Sequence, residues 1–566
     1  METHERAIII QSDGSLLVDV HAPGYEAARE ALSMFAHLEK APEHLHTYRI
    51  TPVSLWNAAA AGATAEEVLA ALRENARYGL PETVAKQVVE QMGRWGRLVL
   101  EPSEAPEWLW LRAGDPVVEA ALGRYSAVAE LVRPDGEGRF RVPRAHRGTL
   151  KQLLARLGYP VLDRAGYADG APLSVALRET TRAGHPFALR PYQREAVEAF
   201  LAGGRGDAMG GHGVVVLPCG GGKTVVAIGA MAALGMRTLI LATGTTAVHQ
   251  WIAAILDKTT LSEEEVGEYS GQRKAIRPVT VATYQIATRS AHRSLFESED
   301  FGFIVYDEVH MLPAPLFSTT ADLQARRRLG LTATLVREDG KEAEVFSLIG
   351  PKRYEVPWRL LERDGFVAEA ECVEIRIPPS EALLSKVLLA QGQDRYRIPA
   401  EYHVKDRVVR SLVAEHRGER ILVIGQYLDQ LERIATRLGA PLLTGETPQD
   451  ARDRLFGEFK AGTVPVLVVS RIANFSVDLP DASVLIQVSG LFGSRQEEAQ
   501  RLGRVLRPKP DGRPARFYTL VTADTPDQDF ALRRQRFLTE QGYRYRIETW
   551  SASGRRRPAV PEASLG

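Results

Sequence analysis

Cysteine is almost missing from this chain, with Cys219 and Cys372 the only two among 566 residues. A pair so far apart argues against a disulfide framework and fits a reducing cytoplasm. Net charge is missing as well, 71 basic residues standing against 71 acidic ones. No overall field therefore draws the protein to nucleic acid, and such a partner would have to be held by local basic grooves. The one long apolar stretch, around residues 213–235, is interrupted by Pro218 and a glycine triplet, so no membrane span is expected. The opening METHERAIII mixes charges and has three isoleucines in a row, unlike a secretory signal. Metal-ligand spacing is lacking too. His21, His44, His46 and His403 form no recognisable set and neither cysteine has a neighbour, so neither zinc nor an iron–sulfur cluster is expected.

What is present is an ordinary globular composition, 45% hydrophobic and 25% charged, in a chain too long for one core. Residues 1–125 start with short strand patterns and continue with helical ones, such as AEEVLAALRENARYGL, an accessory α+β region that is mostly helical. A small α+β piece follows over 126–185, ending in the polar, glycine-containing stretch GYADGAPLSVALRETTRAGHP, which has the character of a linker. From 186 to 358 apolar strands alternate with helices, and the rhythm restarts over 359–548. Such alternation means parallel sheets covered on both faces, here two α/β lobes in tandem. The last residues, 549–566, are small, polar and proline-containing, the composition of a disordered tail.

The stretch GVVVLPCGGGKTVVAIG reads as a phosphate grip. Gly220, Gly221 and Gly222 let backbone N–H groups curl inward, and a helix beginning at Lys223 adds its partial positive charge. Lys223 can reach terminal phosphates and the Thr224 hydroxyl can ligate Mg²⁺. Leu217 stands where the longer phosphate-loop pattern has its first glycine, so only the shorter G-x-G-K-T survives. Cys219 lies inside the loop, where the helix dipole and Lys223 would lower its pKa if it is accessible; a small buried loop residue is the equal alternative. About 84 residues after the lysine, FIVYDEVH ends an apolar strand on Asp307 and Glu308. The aspartate can hold the hydrated Mg²⁺ and the glutamate can polarise the attacking water. Upstream, LRPYQ places Arg190 and Gln193, whose amide can read an adenine edge as donor and acceptor. Far downstream, SRQEEAQRLGRVLR puts Gln500, Arg504 and Arg507 on one helix face. Two guanidiniums crowd together most readily opposite an anion, which makes Arg504 and Arg507 candidate arginine fingers for the γ-phosphate, supplied by the other lobe.

In this order the motifs LRPYQ, LPCGGGKT, YDEVH, LTATLVREDG and QRLGRVLR resemble those of superfamily-2 helicases, and more narrowly the XPB helicases in their bacterial form. The resemblance is strong over roughly 186–545 and implies two RecA-like lobes using ATP and Mg²⁺. It implies that His310, Thr332 and Thr334 couple hydrolysis to DNA contacts, and that Arg337, Glu338 and Asp339 form the family's RED element. It further implies that Asp478 helps sense nucleotide, and that Thr283 with Tyr284, and Thr444 with Gly445, grip a DNA backbone. The expected function is that of an ATP-dependent 3′ to 5′ DNA helicase/translocase that couples hydrolysis to unwinding. It would act on single-stranded or forked DNA, without sequence preference, in repair, with a repair nuclease or repair-complex protein as a further partner. Two alternatives stay open: a duplex translocase that seldom separates strands, and a nucleotide-gated module that recruits a nuclease. Departures from the family pattern are Gly244, where relatives carry a larger polar residue, and a shortened thumb-like insertion near 380–405. Residues 126–180 occupy the place of a damage-recognition domain without showing a motif of their own. The arginines of QARRRLG, Arg326 to Arg328, read either as a DNA contact or as a solvated loop, and GRRRP in the tail invites a tether reading.

Overall fold

A computed structural model describes residues 6–558, except 41–44, 106, 137, 166–169, 203–209, 219, 288, 290–291, 293–295, 297–298, 310–324, 326, 334–341, 357, 367–368, 471–481, 490–513, 541–542 and 552. Two compact units divide the chain near Val356.

The first unit opens with a four-stranded sheet, β1 (Ile8–Ile10), β2 (Ser15–Asp19), β3 (His37–Lys40) and β4 (Leu45–Arg49), in the order β1-β2-β4-β3. Helices Tyr25–Phe35, Ala65–Asn75 and Glu82–Met92 bury Leu32, Leu72 and Val88 in its core. The helix Ala65–Asn75 starts on a reciprocal cap: the Thr64 hydroxyl accepts from the Glu67 N–H and the Glu67 carboxylate accepts from the Thr64 N–H, satisfying two orphan donors. A second sheet takes β5 (Leu98–Pro102), β6 (Trp108–Ala113), β7 (Arg133–Pro134), β8 (Arg139–Pro143) and β9 (Val161–Asp163), in the order β7-β8-β6-β5-β9. It crosses residue 125, where composition suggests a join. Within the proline-rich LEPSEAPEWLW, the end of β5 and the start of β6 pair antiparallel with each other. Both pieces reach the α/β part of the same unit: Trp56 and Trp95 pack on Phe346 of the helix Glu342–Ile349, Asn57 Oδ1 accepts from the Lys352 N–H at 2.9 Å, and the helix Arg147–Arg156 lies against Glu342–Ile349.

The stretch expected to be a linker is a strap. Leu173 N–H donates to Gly235 at 2.8 Å, Arg178 N–H to Lys258 at 2.9 Å, and Thr260 N–H to Ala176 at 3.0 Å. At Gly170 an added Cβ would fall 2.1 Å from the Gly302 Cα, so the backbones meet too closely for a side chain. Polarity tells that this stretch is exposed. It does not tell that its backbone donors find partners on a lobe edge.

The lobe's own sheet is β10 (His212–Val216), β11 (Thr238–Ala242), β12 (Val266–Tyr269), β13 (Val279–Thr283), β14 (Phe303–Tyr306), β15 (Arg327–Thr332) and β16 (Lys352–Glu355). The order is β12-β13-β11-β14-β15-β10-β16, and each pairing is parallel. β14 is buried at all four positions, as a strand covered on both faces requires. Arg327 and Arg328 are strand residues here, Arg327 half-buried and Arg328 only 5% exposed, so neither sits in a solvated loop; Arg326 lies outside the described residues.

The second unit holds an eight-stranded sheet: β17 (Ala370–Ile377), β18 (Ile421–Gly425), β19 (Leu442–Leu443), β20 (Val466–Ser470), β21 (Val484–Gln487), β22 (Ala515–Thr522), β23 (Arg544–Trp550) and β24 (Arg556–Pro558). Its order is β19-β20-β18-β21-β22-β17-β23-β24, parallel until the last pair. The disordered tail expected from 549 onward is therefore corrected. Residues up to Pro558 form a hairpin, and Arg556 pairs with Glu415 and Glu548 and lies over the Tyr518 ring. The shortened insertion consists of helices Glu381–Leu389 and Asp394–Ala400. Among the described residues no helix is long and apolar enough to cross a membrane.

Candidate nucleotide site

Four segments of the first lobe leave the carboxyl ends of parallel strands, the edge where open α/β sheets bind ligands, while LRPYQ lies at the start of the helix Pro191–Ala202. β10 runs into the phosphate loop, β14 into Asp307 and Glu308, β13 into Tyr284, and β15 ends on Thr332.

The loop's shape comes from its glycines. Gly220 and Gly222 have φ of +81° and +79°, in the left-handed region that residues with a Cβ adopt at a cost. At Gly222 space excludes a side chain as well, since a Cβ would stand 2.4 Å from Gln193 Nε2. Gln193 is buried, and its Oε1 accepts from the Arg190 N–H at 3.0 Å while its amide nitrogen lies against the loop. The glutamine and Arg190 thus brace the turn ahead of the lysine helix. Thr332, fully buried, joins the same scaffold: its carbonyl accepts from the Leu217 N–H at 3.0 Å, tying the end of β15 to the start of the loop.

Lys223 opens the helix Lys223–Leu234, and Thr224 is the next residue in its first turn. Lys223 Nζ meets Glu308 Oε1 at 2.5 Å. Glu308 holds a positive φ of +48°, a conformation costing a non-glycine residue about 1–3 kcal/mol. That turn points its carboxylate back to the lysine. Asp307 is held from two sides: the Trp251 indole N–H donates to its Oδ2 at 2.9 Å, and the Tyr284 hydroxyl donates to its carbonyl at 2.8 Å. Burial, reinforced by the Glu308 charge, pushes the Asp307 carboxyl up to about 6 against the counter-pull of Lys223 and Trp251. The buried Asp307 carboxylate and the Thr224 hydroxyl, one residue beyond the lysine that neutralises Glu308, are oxygen donors of the kind a hard divalent cation takes.

The structure therefore brings together Arg190, Gln193, Gly222, Lys223, Asp307, Glu308 and Thr332 in the first unit, with Thr224 following Lys223 in its helix and Gly220 and Gly221 preceding Gly222 in the loop. It does not present Thr283 and Tyr284 as a backbone grip, because both are buried and the Tyr284 hydroxyl is engaged under the acidic pair. In the second unit Thr444 and Gly445 do form an exposed turn, in which Thr444 N–H donates to the Thr447 hydroxyl and the Gly445 carbonyl accepts from Arg452. Cys219, His310, Thr334, Arg337, Glu338, Asp339, Asp478, Gln500, Arg504 and Arg507 lie outside the described residues. Trp251 is the site residue that motif matching passes over. Its signal is a tryptophan on the buried stripe of the helix Thr245–Lys258, whose indole N–H must find an acceptor.

Comparisons with known proteins place the chain in a family. Residues 361–559 match the ERCC3/RAD25/XPB C-terminal helicase family, 186–337 the res subunit of type III restriction enzymes, and 8–134 a helicase conserved C-terminal domain family. The chain is 53% identical over 549 residues to the DNA 3′-5′ helicase XPB of Kineococcus radiotolerans, covering 95% of this chain and 96% of that one. It is 49% identical over 545 residues to the DNA 3′-5′ helicase XPB of Mycobacterium tuberculosis, with 95% and 97% covered. The general transcription and DNA repair factor IIH helicase/translocase subunit XPB/SSL2 of Saccharomyces cerevisiae is 28% identical, over 96% of this chain and 72% of its own. Among solved structures, a fragment of a putative HsdR subunit of a type I restriction enzyme from Vibrio vulnificus matches 66% of this chain and 71% of its own, at a TM-score of 0.48 and 17% identity. The chain belongs to the XPB-type, ATP-dependent DNA helicases of superfamily 2, in their bacterial form.

Proposed function

We propose that this protein moves 3′ to 5′ along DNA and separates its strands in the service of DNA repair, driven by ATP hydrolysis in a pocket that both lobes complete. The observation that carries the reading is the Lys223–Glu308 contact beside Asp307 at the strand ends. Without nucleotide the cation and the base neutralise each other. A triphosphate in the loop offers Lys223 a stronger anionic partner, and Glu308, once released, can take the proton of an attacking water. The base is thereby withheld until substrate arrives.

Thr224 and Asp307 would hold Mg²⁺, which when bound offsets the charge on the phosphate oxygens. Arg504 and Arg507, from the second lobe, supply the remaining positive charge at the γ-phosphate, so turnover requires the lobes to close, and closure becomes a step along the strand. Thr444 and Gly445, on an exposed turn, fit a sequence-blind hold on the DNA backbone. The repair assignment follows the name of the yeast relative, and a nuclease partner remains part of the same proposal.

The test is the ATPase rate measured in parallel with no nucleic acid, single-stranded DNA, duplex, forked DNA and RNA, alongside forked-duplex unwinding. Forked and single-stranded DNA should stimulate most, and Lys223→Ala should bind DNA yet neither turn over nor unwind. Strand separation retained in Lys223→Ala would count decisively against the motor.

A further inference from the structure

The two hydrogen bonds on Asp307 come from Trp251, to which no motif gives a role, and from Tyr284, for which the resemblance implies a DNA grip and no part in the nucleotide chemistry. Trp251 lies in the middle of the helix Thr245–Lys258, which follows β11, and Tyr284 opens the short helical turn after β13. Both are buried, with 2% and 4% of their surfaces exposed, and each places its polar atom on the same residue, one on the carboxylate and one on the main chain. A carboxylate on two rotatable bonds has no fixed direction of its own. An indole N–H on Oδ2 fixes the plane of the carboxylate, and a phenol on the carbonyl fixes the backbone from which it projects. The order β13-β11-β14 makes this possible: β14, which carries Asp307, pairs with β11, and β11 with β13, so the two aromatic residues come from the two strands on one side of the aspartate.

We infer that Trp251 and Tyr284 are positioning residues for ATP hydrolysis, a two-point clamp that presents the Asp307 carboxylate to the metal of the nucleotide. The inference rests on the proposed role of Asp307 as a metal ligand. An aspartate free to swing still carries its charge but meets the cation in the wrong orientation, so the clamp acts on metal affinity and turnover more than on nucleotide affinity. A load on the helix Thr245–Lys258 would reach the carboxylate through one indole.

The experiment is done without DNA, on the full chain, with Trp251→Phe, Trp251→His and Tyr284→Phe. The Mg²⁺ concentration for half-maximal ATPase should rise about tenfold in Trp251→Phe and in Tyr284→Phe, the scale of one lost hydrogen bond to a charged site. Trp251→His, which keeps a ring N–H, should recover part of the loss. In metal-free, nucleotide-free protein the Trp251 indole N–H resonance, assigned by its disappearance in Trp251→Phe, should exchange slowly with water and move in Tyr284→Phe. Unchanged Mg²⁺ dependence in both phenylalanine variants overturns the clamp, as does an equal loss in Trp251→Phe and Trp251→His, which would signify packing alone. ATPase that ignores Mg²⁺ in the unmodified protein would instead overturn the metal role of Asp307, while the indole resonance still reports the two hydrogen bonds.

Discussion

At Gly222 two separate constraints coincide, a left-handed backbone and a glutamine amide where a Cβ would stand. Gly222→Ala should cost about 1–2 kcal/mol from the backbone alone, and lower ATPase at least tenfold while leaving the far-ultraviolet circular dichroism unchanged. Adding Gln193→Ala removes the steric conflict but not the backbone strain, so the double variant should regain stability in denaturant unfolding only in part. Asp163 illustrates a purely structural charge. It takes two hydrogen bonds from Arg147 and one from Lys151, all three side chains nearly out of water. Burial by itself would raise the Asp163 carboxyl, but the Lys151 and Arg147 charges outweigh it and hold the carboxyl well below its usual range. A depressed acid stabilises the fold above its unfolded value, near 3.8, and loses that contribution as pH falls toward the folded value. Asp163→Asn should therefore cost about 3–5 kcal/mol at pH 7, by stranding two buried cations. The difference from the unmodified protein should shrink as the medium is acidified below pH 4, as read by denaturant unfolding.

Among elements, those that match a period or a motif were legible and those that depend on a distant surface were not. The strands of both lobes announce themselves as apolar runs, and the phosphate loop as a glycine cluster between strand and helix. The strap at 170–187 and the hairpin at 544–558 have loop-like compositions, and both are ordered by partners remote in sequence. Arg556 tests the hairpin directly. Its side chain is held by Glu415 and Glu548 and lies over the Tyr518 ring. Arg556→Ala should lower stability by about 1–2 kcal/mol without changing DNA affinity or its salt dependence. A tether of the kind GRRRP suggests would give the opposite result, with stability kept and the salt slope reduced. The aromatic pair Trp251 and Tyr284 belongs here as well. Its residues look like ordinary core from their spacing, and only the pairing of β13, β11 and β14 shows that they converge on one carboxylate.

For the molecule as a whole, the proposal that the second lobe supplies arginines to the nucleotide makes a kinetic demand. Arg504→Ala and Arg507→Ala should each reduce ATPase on the order of 10³-fold, while a fluorescent ATP analogue still binds, since Gln193, Gly222 and Lys223, proposed to hold it, belong to the first unit. Neutral net charge makes a second demand. DNA affinity should fall linearly with salt on logarithmic axes, by a slope that counts only the local phosphate contacts. A slope near zero in a filter-binding series would contradict a backbone grip by either lobe.

The chain alone determined the two-lobe motor and its nucleotide chemistry, because a glycine turn before a lysine and an acidic pair closing an apolar strand are local patterns with local causes. Tertiary structure decided what those groups do to one another. It paired Lys223 with Glu308, set Gln193 against Gly222, sank Tyr284 beneath Asp307, and ran one sheet through the join expected at residue 125. Each of these depends on which strands become neighbours, and strand order is settled by how buried faces are shared across the whole sheet, which no window of sequence contains.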